Sequence, residues 1–478
     1  MIDLALLVGA LTISAVALYR SGAVRDWAAL AAAAPAIALG ALSLAAFGLL
    51  FIGVALHPLS VSVAFGVVLG YVVIVCRRFP AAAKAETARV DSGYMSPSLF
   101  AAALMLLVST VSLTWAGRQW IAAWPHGSAD AVNIWTSRAL LLSRTPGDLP
   151  ERFAWMPQGH PDYPLMVPTV VAAQFGGTGS ESLIIPQATT CVWLAAVIIA
   201  AFALTTELSN AKVGCLAAAV VAANPLLARW GFTQCADVPL AYMLLLFSGA
   251  IALLLSRDQE APFPVPLIGF FGGLLMWIKT EGTVVGAVLI AFAALLAWQR
   301  REEGSTFRRR VVPFAIGIAP PLTVLVLFRA FWIRGVETPS FLRADWLERL
   351  TDVDRWRLLL STAAYETAFY GRMRVSAAIV LASLAVAAIV VIARRGNVMP
   401  AARFLLLPVA VAWPIYTIAY MLSPYELQWH VSTSVDRLVL HVMPTVLVAT
   451  TLLLATRAHP DSAPVVGGDG GPGGSLDE

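Results

Sequence analysis

Five short polar clusters interrupt a largely apolar chain, and each carries groups that can move a proton or hold an anion. The first runs from Trp124 to Arg138. Ser128 suits an N-cap, which puts Asp130 in the first helical turn, where the helix dipole favours an ionised carboxylate. Ile134 and Arg138 follow on the same face. A carboxylate so placed can take a proton or hold a cation, or it can simply close a helix end. The second cluster, 157–165, spaces three prolines around His160, Asp162 and Tyr163. That stiff backbone precludes a regular helix and suits either a binding site or a surface turn.

The third cluster joins Asn224-Pro225 to the stretch from Trp230 to Asp237, and Asp237 heads an apolar run. The fourth, Trp277 to Gly282, sets Lys279 and Glu281 in a tight turn between two apolar blocks, where the two charges can neutralise each other. Lysine is rare in this chain, so its use at a turn is informative. The fifth runs from Glu426 to Arg437 and includes Trp429 and His430. Two readings of Arg437 stand side by side. At the head of an apolar helix its guanidinium can snorkel to lipid headgroups, or, after a Trp, a His and three hydroxyls, it can grip a phosphate. His126, Asp130, His160 and Asp162 have the side chains of a divalent-cation site, but their spacing matches no metal signature and no metal is expected as a requirement.

What must position these clusters is a membrane bundle. In 478 residues, 59% are hydrophobic and 13% charged, about half the charge of a soluble chain. The apolar residues fall in blocks, and a span needs about 20 of them. The blocks predict spans near 2–19, 27–54, 59–76, 98–117, 182–205, 211–228, 238–256, 263–278, 282–298, 311–329, 376–393, 402–421 and 437–456. An all-α polytopic membrane protein with about thirteen spans follows, and nucleic-acid-binding and cytosolic classes are excluded. The four cysteines show no metal spacing, and no disulfide framework is expected.

Orientation follows from the short connections. One set, from Arg20 through Arg457, carries seventeen Lys and Arg; the other carries only Arg229, Lys279 and Arg437. The first set is therefore expected in the cytoplasm, with the C-terminus inside and two longer segments, about 118–181 and 330–375, outside. Trp346, Trp356 and Tyr365 are spaced for short amphipathic helices lying at the interface. All five polar clusters then share the exoplasmic side. The Gly-rich tail, 457–478, cannot bury a core and is expected to be disordered.

In this order the five clusters resemble the GT-C class of membrane glycosyltransferases, and more narrowly the bacterial relatives of protein O-mannosyltransferases and lipid A aminoarabinose transferases. The likeness covers about 98–456. It rests on the acidic stretch Asp130 to Trp135, the Pro-rich stretch His160 to Leu165, Asn224-Pro225 with Asp237, the turn Lys279 to Gly282, and Trp429-His430 leading to Arg437. The acidic loop follows the fourth span here, whereas in the family it follows the first. Residues 1–78 are therefore read as an added three-helix module, joined to the core by a cytoplasmic linker, 79–97. The acidic stretch also lacks a clear second carboxylate beside Asp130.

The resemblance implies transfer of a sugar from a polyprenyl-phosphate donor to an acceptor hydroxyl in a protein, lipid or envelope glycan, at the outer face of a plasma or inner membrane, with inversion. Asp130 would be the base. Arg437, Lys279 and His430 would hold the donor phosphate. Trp135, Arg138, His160, Asp162, Tyr163, Asp237, Glu281 and Trp429 would line the substrate site. The rival expectation is a transporter or flippase of lipid-linked sugars. It would need discontinuous spans near the midplane.

Overall fold

A computed structural model describes residues 2–24, 26–81, 97–144, 151–152, 160–257, 261–299, 304–333, 345–369, 371–393 and 400–455. The expected tail, most of the expected linker and Pro157 to Gly159 lie outside the described residues. Within them every regular element is helical. In chain order the helices are α1 (Ile2–Arg20), α2 (Trp27–Phe51), α3 (Pro58–Arg78), α4 (Pro97–Ala123), α5 (Ser137–Arg144), α6 (Met166–Thr178), α7 (Ile184–Leu208), α8 (Ala211–Ala222), α9 (Pro225–Trp230), α10 (Asp237–Arg257), α11 (Val265–Ile278), α12 (Thr280–Gln299), α13 (Gly304–Leu327), α14 (Trp346–Thr351), α15 (Val353–Phe369), α16 (Gly371–Ala393), α17 (Pro400–Met421) and α18 (Leu427–Ala455). One π-helical turn, Ala131–Thr136, precedes α5 and another, Phe328–Trp332, follows α13.

Among the described residues nine helices are long and apolar enough to cross a membrane, so the chain is a polytopic α-helical membrane protein. Four shorter apolar helices, Ala211–Ala222, Val265–Ile278, Thr280–Leu295 and Ala378–Ala393, fall where further spans are expected. Local chemistry sets several boundaries. Asp26 accepts from the amides of Ala28 and Ala29 at the head of α2, and Asn210 accepts from Val213 at the head of α8. Asn224 does the same for α9, with Pro225 at the first helical position.

The interior is built around α2, α10 and α18. Their membrane-length stretches are 83%, 89% and 83% buried, against 11% for α4, and alanines on most faces of α2 let neighbouring helices approach closely. Pro35 interrupts the ladder of α2. The Tyr242 hydroxyl of α10 fills the break, donating to Ala32 O at 2.5 Å and accepting from Ala36 N at 3.2 Å. Ser43 pairs with Thr169 of α6 at 2.7 Å and accepts from the Trp277 indole of α11 at 2.9 Å. Residues 1–78, set apart by sequence as an added module, thus pack directly into the core helices. The motif order that separates them says nothing about packing.

Two further differences bear on the site. The outer segment expected over 118–181 re-enters the bundle: α6, thirteen mostly apolar residues, is buried over its first ten and ends at Gly179 in the left-handed region. It is too short to span, and such a helix is a buried core element. The last helix begins at Leu427, ten residues before the expected start at Arg437. The polar first turns hide that beginning from a hydropathy reading.

Candidate functional site

Where α4 and α11 end and α10, α12 and α18 begin, four of the five clusters meet. Ser128 caps as expected, its hydroxyl accepting from Ala131 N at 3.3 Å. Gly127 has φ +79, and a Cβ there would lie 2.5 Å from Thr233 O, so only glycine lets the acidic stretch sit against the loop before Asp237. Lys279 stands at the corner of a helical hairpin. It is a single extended residue between α11 and α12. Gly282, whose Cβ would lie 2.4 Å from Leu275 O, lets the second helix return along the first.

Asp237 is the hub. Its Oδ2 accepts from Arg437 Nε at 2.9 Å and lies 2.9 Å from Nη2. Its Oδ1 accepts from Lys279 Nζ at 3.1 Å and from His441 Nε2 at 2.9 Å. Four donors converge on one carboxylate that is 1% exposed, so it has no lone pair left for a substrate proton. A carboxylate only accepts, which puts the hydrogen of His441 on Nε2. Its Nδ1 lies 3.1 Å from the Tyr416 hydroxyl.

Asp130 is placed differently. Its Oδ2 receives Arg437 Nη1 at 2.5 Å, and its side chain is 37% exposed. Lys279 also pairs with Glu281 Oε1 at 3.0 Å. Three carboxylates, Asp130, Asp237 and Glu281, therefore surround two cations. An incoming anion must take Arg437 or Lys279 from one of them, and Asp130 is the exposed one. Arg437 does not snorkel to a headgroup. It lies in the third turn of α18, its side chain is 15% exposed, and its guanidinium stacks 5.3 Å from the Trp230 ring.

An aromatic wall continues from the cations. Lys279 Nζ lies 5.7 Å from the Tyr163 ring, which stacks on Trp135 at 5.8 Å and His160 at 4.7 Å. His160 adopts φ +48, and Arg138 holds this turn by donating to the carbonyls of His160 and, at 3.5 Å, Tyr163. Burial lowers the Arg138 guanidinium to about 10. Burial also lowers the His160 imidazole, against the opposing pull of Asp162. Asp162 accepts from Thr280 Oγ1 at 3.4 Å, so the Pro-rich turn closes onto the hairpin corner.

Trp135 and Arg138 are buried to 2% and 0% exposure and hold the turn from behind. His430 touches neither cation. Its Nδ1 lies 2.7 Å from Ser423 Oγ, and its ring packs among Tyr420 and Tyr425. Trp429 is 55% exposed, with its ring edge-on to Tyr425. His126 is exposed, and among the described residues no three His, Cys, Asp or Glu form a metal-binding group.

Sequence reasoning missed His441 and Tyr416. His441 had a readable signal, because an ionisable residue four positions after Arg437 in an apolar helix shares its face. Tyr416 had none. Asp436, adjacent to Arg437, points elsewhere, accepting from the Trp230 indole at 3.0 Å and pairing with Arg229 at 3.4 Å. No family model, no curated protein and no solved structure matches the chain.

Proposed function

We propose that the chain is a membrane glycosyltransferase of the GT-C kind, moving a sugar from a polyprenyl-phosphate donor to an acceptor hydroxyl at the exoplasmic face. One observation carries the reading: a partly exposed carboxylate, Asp130, shares Arg437 with a saturated one, Asp237. In this reading the donor phosphate displaces Asp130 from Arg437. That step gives the leaving phosphate its cation and frees the base beside it. Asp237 keeps Arg437 and Lys279 in place throughout, and His441 fixes Asp237. Direct attack by the acceptor oxygen inverts the anomeric carbon. The proton goes to Asp130, and the polyprenyl phosphate leaves against Arg437 and Lys279.

Position supports an enzyme over a transporter. The charged groups sit at one end of the helices, and the α11–α12 break is a hairpin corner instead of an interrupted span. The excess of Lys and Arg in the opposite short connections supports an exoplasmic location for that end. The test is to incubate the purified protein with a panel of polyprenyl-phosphate sugars and candidate acceptors. Free polyprenyl phosphate released only when acceptor is present is the expected result. Unchanged donor that crosses a vesicle membrane without transfer would make the protein a transporter.

A further inference from the structure

Behind the charged cluster a small cleft lies between α6, α7 and the π turn that follows Asp130. Trp135, Thr136, Val167, Thr189, Trp193 and Gln234 line it, with room for about one water-sized group. Three of these residues are almost fully buried: Trp135 is 2% exposed, Trp193 1% and Gln234 4%. Each has a buried polar atom with no hydrogen-bond partner among the described residues, namely the two indole Nε1 atoms and Gln234 Oε1. Gln234 cannot satisfy itself by flipping its amide. Its Nε2 donates to Pro125 O at 3.0 Å, so the other end must be the acceptor, and its backbone is held at φ +61.

Two unpaired donors and one unpaired acceptor therefore belong to residues that line one small space. None of the residues lining it is charged, so an ion is not what it suits. Buried polar groups in native proteins are paired, and orphans that share a cavity are met by a bound molecule. We propose that this cleft binds one neutral oxygen, which accepts from the Trp135 and Trp193 indoles and donates to Gln234 Oε1. A resident water and a hydroxyl of a bound polyol share that chemistry. The bound oxygen ties the element carrying Asp130 to the loop that delivers Asp237 and to α7. The inference stands independently of the proposed reaction, since it uses neither Asp130 nor Arg437.

The test uses the full chain labelled with ¹⁵N-tryptophan in detergent, reading the indole N–H resonances with and without glycerol. Trp135→Phe and Trp193→Phe assign the two signals by their loss. Downfield, hydrogen-bonded positions in the absence of glycerol identify a resident water. Upfield positions that move downfield only with glycerol identify a ligand hydroxyl. Upfield positions in both conditions overturn the proposal. Should either variant fail to fold, a map of the parent protein that resolves ordered waters elsewhere decides the same question. Density within hydrogen-bond distance of both indoles and Gln234 Oε1 is expected, and an empty cleft would sink the idea.

Discussion

Two aspartates meet one arginine, and the difference between them is the most testable feature of the site. Asp130 has one oxygen engaged and keeps access to solvent, whereas Asp237 accepts from four donors in a closed space. Asp130→Asn should leave a monodisperse protein while sugar transfer falls by roughly 10²-fold or more. Asp237→Asn leaves two buried cations short of a partner and should cost about 3–5 kcal/mol, read as a lowered Tm or loss of folded protein. Equal effects of the two on Tm would remove the distinction. Arg437→Lys tests the fork. A single ammonium cannot reach Asp130 and both contacts on Asp237, so donor affinity or turnover should fall at least about tenfold, or 1.4 kcal/mol. Parent-like transfer by that variant would shift the phosphate to Lys279. The carboxylate and the cations were legible as types in the sequence. Their division of labour was not, because it depends on how many donors each oxygen meets after folding.

Among the elements, the hairpin corner and the Pro-rich turn set the site's shape. In Gly282→Ala the new Cβ would meet backbone, Leu275 O at 2.4 Å, so α12 must shift and the cost should be about 1–3 kcal/mol. Gly286→Ala meets the flexible Met276 side chain at 2.9 Å and should be milder. Thermal unfolding of the two variants decides the order. The His160 turn should respond to acid. Burial holds its imidazole below the ordinary value, so its contribution is present above about pH 6.5. That contribution is lost as pH falls through the lowered value. His160→Asn tolerates the left-handed backbone and carries no titrating ring. It should show a smaller drop in Tm between neutral and acidic pH than the parent. A drop of equal size in both would assign the acid sensitivity elsewhere.

Helix positions were readable because hydropathy and length act locally, and helices do form around Trp346 and Trp356. The buried helix α6 was not. Thirteen mostly apolar residues between a Pro-rich turn and a glycine look like loop until the surrounding helices enclose them. The start of α18 was hidden likewise, by hydroxyls and a histidine that bond within the bundle, among them Tyr420 with Ser434 at 2.8 Å.

At the scale of the molecule the fold is tied together by position in space more than by order in the chain. Sidedness is the prediction that belongs here. A reporter fused after Thr306 should face the cytoplasm, and one inserted near Asp352 should face outside. A cytoplasmic signal at 352 would separate the charged cluster from any exoplasmic acceptor. The burial of α2 has a consequence for how the protein is made. It leaves the ribosome well before its partners, since those of Ser43 and of its proline break, in α6, α10 and α11, emerge more than a hundred residues later. Until then α2 must do without those partners, its serine hydroxyl turning back to a carbonyl of its own helix. Membrane insertion and helix assembly are thus separated in time, and the interval between them is when the nascent chain depends most on whatever shelters polar groups beside the translocon.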